Sequence, residues 1–308
     1  MVSKKMVMVF LLLGVLFIYG CEGSQTTSGL QGAYANCFGD NIQMVSAGFE
    51  NYAPVSSEEN PYEPGEEIDI TVVFESFYTE DIEEGNVKAR LTGDAALENI
   101  FSGALIQSAD TIYGIDTETC LTEDTELDIG PIIYQGDITT KVSKEITGLY
   151  CYAQPVVVKG YLYFTEDSTE IGENLPSGSN PPSSVQVTKI EQNPVDVDRD
   201  DNSGDMRFKI YVQNLGSGTI VESLDDCFGY RDTGFDEELH ISVTGAYDTI
   251  ECPETVKLSR DERTDVVTCK ITGIDVTNLG AAPSEITITM DEFAYEDEIP
   301  STTIWLEP

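Results

Sequence analysis

The stretch Phe208-Lys209-Ile210-Tyr211-Val212-Gln213 alternates apolar and polar side chains with a period of two. Successive side chains of an extended strand point to opposite faces. The alternation therefore sends Phe208, Ile210 and Val212 to one side, and a half-buried strand is expected. Ile68-Asp69-Ile70-Thr71-Val72-Val73-Phe74 and Glu285-Ile286-Thr287-Ile288-Thr289-Met290 follow the same rule. Such runs are short and bounded by Gly, Pro, Asn and Asp, and no long amphipathic helix pattern follows residue 21. An all-β sandwich protein is the expectation.

Gly172 to Ser184 reads GENLPSGSNPPSS, a composition expected of an interdomain linker. The flanking halves look like diverged repeats. Each opens with a strand (Ile42 to Phe49, Val185 to Ile190), followed by a polar loop containing Asn-Pro. Then come Gly65-Glu66 or Gly204-Asp205, an alternating strand, and a strand ending Thr92-Gly93 or Thr244-Gly245. The chain of 308 residues exceeds one typical sandwich of about 100. At 40% hydrophobic it can fill two cores. Two tandem β-sandwich domains are expected, at 42–171 and 185–308, joined by a linker at 172–184.

Asn214-Leu215-Gly216-Ser217-Gly218 and Glu63-Pro64-Gly65-Glu66-Glu67 resemble the closing and opening motifs of the cell-adhesion-related (CARDB-like) domains of archaeal and bacterial surface proteins. The first half departs from that pattern at Glu75-Ser76-Phe77, where an Asn-Gly element is absent. The resemblance covers about 50 residues per half. It implies immunoglobulin-like sandwiches and a surface interaction role, and it supplies no catalytic residues.

The amino end reads MVSKKMVMVFLLLGVLFIYGCEGS. Lys4 and Lys5 precede an uncharged run from Met6 to Gly20, which is short of the roughly 20 residues of a spanning helix. The run fits a signal peptide over residues 1–20. Ile18-Tyr19-Gly20-Cys21 resembles a lipoprotein lipobox, with Tyr19 bulkier than usual. That resemblance implies diacylglycerol on Cys21 and stable membrane anchoring by two acyl chains. The alternatives are an uncleaved anchor, or ordinary cleavage with Cys21 incidental. Residues 21–41, small and polar in Glu22 to Ala35, read as a tether.

The formal charge is −40, from 16 basic and 56 acidic residues. Removing the leader takes two lysines and no acid. Nucleic acid is excluded as a partner, because its binding rests on Lys and Arg neutralising phosphates. Anionic headgroups are repelled as well. A saline or cation-rich setting fits this charge, since salt screens self-repulsion.

Of seven cysteines, Cys21 stands apart. The six others read as three disulfides of an exported chain, with 15 pairings open. Repeat logic pairs Cys120 with Cys151 and Cys252 with Cys269. That leaves Cys37 and Cys227 to bridge the domains or remain free. No C-x2-C spacing and a single histidine speak against zinc.

Chemistry-bearing candidates are few. His240, within Glu238-Leu239-His240-Ile241-Ser242-Val243, reads as a strand residue, and no G-x-S-x-G element accompanies it. Asp196, Asp198, Asp200, Asn202 and Asp205 place hard oxygens on one loop, which suits calcium. An EF-hand would need Gly at the sixth position and Glu at the twelfth, where Asp201 and Arg207 stand. The plain alternative is a solvated loop. Tyr150 and Tyr152 are expected to form a hairpin with Tyr161 and Tyr163. All four would then face outward, opposite Cys151, Leu162 and Phe164. Such a tyrosine surface would suit a protein or glycan partner; the alternative is that the aromatic pairs simply stabilise the sheet. Trp305 reads as a packed or edge residue. No N-x-S/T sequon occurs, so ordinary N-glycosylation is not expected.

These readings converge on a non-enzymatic, lipid-anchored surface protein for adhesion, envelope structure or binding of a surface protein or glycan. A filament or envelope-assembly subunit is the second expectation. An extracellular enzyme accessory or solute-binding component is the third, and would require a deep pocket.

Overall fold

The computed structural model describes residues 37, 44–50, 56–93, 100–136, 138–229, 237–245, 249–258, 263–280 and 282–308. The expected signal segment, Cys21 and the tether, apart from Cys37, lie outside the described residues.

The described chain is all-β. The first-half strands are β1 (Val45–Phe49), β2 (Glu67–Ser76), β3 (Val87–Gly93), β4 (Phe101–Gly103), β5 (Ile106–Ser108), β6 (Thr125–Tyr134), β7 (Val142–Tyr152) and β8 (Val156–Leu162). There follow β9 (Val185–Gln192), β10 (Asp196–Asp198), β11 (Ser203–Asn214), β12 (Thr219–Val221) and β13 (Glu237–Gly245). The last are β14 (Ile250–Glu251), β15 (Thr255–Leu258), β16 (Thr264–Asp275), β17 (Ser284–Asp291) and β18 (Ala294–Leu306).

Period-two patterning decides which face is buried. On β2, Ile68, Ile70, Val72 and Phe74 are buried while Glu67, Asp69, Thr71 and Glu75 lie on the other face. On β11, Met206, Phe208, Ile210 and Val212 are buried, and on β17 Ile286, Ile288 and Met290. Each such apolar side chain contributes about 1.5–3 kcal/mol on burial.

The strands form antiparallel sheets in the orders β1-β2-β6-β4, β12-β18-β7-β3-β5, β15-β13-β17-β8 and β10-β11-β16-β14, with β9 also paired to β11. The first two sheets pack face to face: Phe74 of β2 meets Tyr150 of β7 edge-on, ring centroids 6.2 Å apart. The third and fourth close on each other where Gly160 of β8 lies against the Ile190 side chain of β9.

The sheets cross the expected boundary at 172–184. β8, from the first half, pairs with β17 from the second. β18, the last strand, returns to pair with β7. Strands of 42–171 and 185–308 therefore do not stay within their own halves, and their buried side chains form one contiguous core. Nor is 172–184 a free linker. Asn174, Ser179, Ser183 and Ser184 are buried. The Asn174 amide donates to the Tyr161 carbonyl and to Gln192. Asn180 accepts from the Val187 N–H at 2.9 Å and donates to the Val187 carbonyl at 2.8 Å. One side-chain amide thus takes the place of a neighbouring strand beside β9, which explains why a segment rich in turn formers is ordered: its polar groups have partners.

Candidate functional site

The crossover is held by a buried polar joint. Tyr152 and Tyr295 are direct partners in the β7–β18 ladder, ring centroids 5.8 Å apart. The Ser184 hydroxyl is hydrogen-bonded to both phenols, and burial pushes the Tyr152 phenol well above its ordinary pKa. The Tyr295 oxygen accepts from the Gly218 N–H at 2.8 Å. Asn214 folds its own turn shut: its Oδ1 accepts from the Gly216 N–H and its Nδ2 donates to the Gly218 carbonyl, both at 3.1 Å. A Cβ on Gly216 would collide with the Tyr295 hydroxyl and with Ser184. The Asn214-x-Gly216-x-Gly218 motif is therefore a close-approach joint between β11 and β18.

The expected tyrosine surface does not form. β7 pairs with β3 and β18, and β8 pairs with β17 in a different sheet. Tyr150 and Tyr152 point into the core, where their rings stack at 6.3 Å. The Tyr150 hydroxyl donates to the Val45 carbonyl at 2.9 Å. Tyr161 and Tyr163 are half-buried. Leu149 and Cys151 alternate with the two β7 tyrosines, so either row could have faced inward by pattern. The packing partner Phe74 selected the aromatic one.

The six cysteines stand as Cys37–Cys120, Cys151–Cys227 and Cys252–Cys269. The expected Cys252–Cys269 pair forms; Cys120–Cys151 and a Cys37–Cys227 bridge do not. Cys151 lies on the opposite face of β7 from Tyr150 and Tyr152. There the strap 222–229, which follows β12, covers the sheet. Lys88 donates to the Leu224 carbonyl and pairs with Asp225, both at 3.2 Å, and Arg90 donates to the Phe228 carbonyl at 3.0 Å. The Phe228 N–H donates to Glu296 at 2.6 Å. Repeat logic missed this bridge because it assigned Cys151 and Cys227 to separate domains.

The aspartate cluster is a β-hairpin, not an open loop. β10 pairs with β11 so that Asp196 faces Asp205 and Asp198 faces Ser203. Asp198 accepts from the Asp200 N–H at 2.9 Å, and Asn202 turns the chain with φ +50°. Asp205 is held by Lys270 at 2.8 Å, and that hydrogen bond keeps its carboxyl below the usual range. A groove of about 670 Å³ runs along the hairpin. No three carboxylates, cysteines or histidines converge on a cation position among the described residues.

His240 faces Asp291 across the β13–β17 ladder, Nδ1 to Oδ1 at 2.6 Å. The hydrogen bond to Asp291 raises the imidazole pKa above its ordinary value, helped by the charges of Asp291, Glu292 and Glu254.

Two outer faces differ in charge. Beyond β1, β2 and β6, a groove of about 440 Å³ is lined by Gly48, Val73, Glu50, Glu75, Asp124 and Glu126. Beyond β9, β11 and β16, Arg207 and Lys209 are exposed, with Lys270 opposite Arg207 and Lys189 beside Tyr211. The Lys189 ammonium lies 5.5 Å from the Tyr211 ring centre and pairs with Glu191. Val266, opposite Tyr211, is 40% exposed. Arg207 and Lys209 make no ion pair among the described residues. Their alternation along β11 was readable in the sequence, but the clustering came only with the register.

No protein-family model and no curated protein matches the chain.

Proposed function

We propose that this is a non-catalytic surface protein, held on the outer side of a membrane by a lipid on Cys21, whose sheet faces serve adhesion, envelope structure or partner binding. The observation that supports it most is the pairing of all six described cysteines. Disulfides persist in oxidising, extracytoplasmic compartments. The lipobox-like Ile18-Tyr19-Gly20-Cys21 and the CARDB-like motif at Asn214 to Gly218 agree with that reading.

Intact mass spectrometry of the membrane-extracted protein tests it. The expected mass is that of the chain from Cys21, plus a diacylglycerol, less six hydrogens for three disulfides. An unmodified, uncleaved chain with free thiols would overturn it. The cation-bearing outer face of β9, β11 and β16 and the acidic outer face of β1, β2 and β6 favour a second reading, an envelope-assembly subunit.

A further inference from the structure

We propose that the outer face of β9–β11–β16 docks on the outer face of β1–β2–β6 of a second copy of this chain, building a head-to-tail assembly. The first face has an apolar centre, Val266 with the Tyr211 ring, bordered by Arg207, Lys209, Lys189 and Lys270. Arg207 and Lys270 are direct cross-strand neighbours. Like charges so placed destabilise a sheet unless something neutralises them. Asp205 pairs with Lys270 and is also stabilised by the charge of Arg207. Glu191 pairs with Lys189 and stands opposite Lys209, and Glu251 stands opposite Lys270. Three acids are thus shared among four cations, and the face keeps a positive surplus for an outside acid.

The second face is the complement. Its apolar centre is Val73 beside Gly48, and a Cβ on Gly48 would meet nothing within 4 Å, so the groove there is open. Its border is Glu50, Glu75, Asp124 and Glu126. Glu126 stands directly opposite Val73 on β6, as Glu75 stands opposite Ser46 on β1. Complementary charge around apolar centres sets register and excludes wrong partners.

A second copy is the occupant because this chain itself carries the acidic face that the basic one lacks. The contact is heterologous, since two different surfaces meet. Every copy keeps one face of each kind unfilled, and the assembly extends or closes into a ring. The net charge of −40 opposes approach of two copies at long range. At 0.15 M salt the screening length is about 8 Å, so charges at the contact decide the outcome. This deepens the assembly reading without depending on the lipid, so mass spectrometry and the experiment below fail separately.

Zero-length carbodiimide cross-linking of the full chain at 0.15 M salt, with light- and heavy-nitrogen copies mixed, is the test. The expected result is an oligomer ladder whose inter-copy amides join Lys209 to Glu75, Asp124 or Glu126. The double variant Arg207→Glu/Lys209→Glu loses the ladder. So does Glu75→Lys/Glu126→Lys. All four positions are on outer faces, and an unchanged circular dichroism melt shows that the variants fold. Mixing the two variants restores the ladder, because each then presents the charge the other needs. The proposal is overturned if wild type yields no inter-copy junction at these residues, or if either variant alone cross-links as wild type does. It is overturned too if the mixture stays monomeric, or if soluble polyglutamate occupies the basic face while the copies remain monomers.

Discussion

Tyr152 and Tyr295 face each other directly on adjacent strands, although the whole second pair of sheets lies between them in the chain. Their contact means that β7 cannot be paired on both sides without the last strand.

Neither 42–171 nor 185–308 should fold when expressed alone. The first lacks β18 and the second lacks β7 and β8. Circular dichroism and hydrogen exchange of the fragments are expected to show unpaired, exchange-labile chains. The full chain should melt as one cooperative unit. In that chain, Tyr295→Ala should cost about 3–5 kcal/mol, the usual loss for a large buried aromatic, measured by denaturant unfolding.

Gly216→Ala and Gly48→Ala should separate cleanly. The first forces a methyl into the Tyr295 hydroxyl and Ser184. Overpacking of this kind costs about 1–3 kcal/mol. The second meets open space and should stay within about 0.5 kcal/mol of wild type. Chemical denaturation of both variants reads the difference.

Peptide mapping without reduction should recover Cys37 with Cys120, Cys151 with Cys227, and Cys252 with Cys269. Cys227→Ser should increase amide exchange in 222–229 while leaving β16 protected. Loss of such a bridge typically costs about 2–5 kcal/mol.

The sole histidine is a clean pH probe. Its folded-state pKa lies above the unfolded value near 6.5 because Asp291 hydrogen-bonds the charged ring. The pair's stabilisation is therefore fully present below about pH 6.5 and is lost as pH rises through the raised folded value. Proton NMR of the His240 ring should titrate above 6.5, and Asp291→Asn should bring the midpoint down. An unchanged midpoint in that variant would refute the role of Asp291.

Strand positions and buried rows were legible because period two is local: Phe208, Ile210 and Val212 face the core as their spacing demands. Partnership was not legible, because it is set by distant surfaces. Nothing near Val156 announces β17 as its neighbour, and nothing near Trp305 announces β7. Composition misled at Asn174 and Asn180, whose amides are as suited to closing a strand edge as to a solvated linker. The tyrosines of β7 were misplaced because Leu149 and Cys151 offered an equally apolar alternative. The basic outer face was hidden for a related reason: its cations sit on three strands that only the register assembles.

The return of β18 also fixes a timetable. A ribosome adding about 5–20 residues per second finishes β7 some tens of seconds or less before β18 exists. Throughout that interval one edge of β7 has no neighbour, and an open edge invites pairing with any other chain. The sheet begun at β3 is thus the one completed last, and the protein's most exposed moment comes before its final thirteen-residue strand is made.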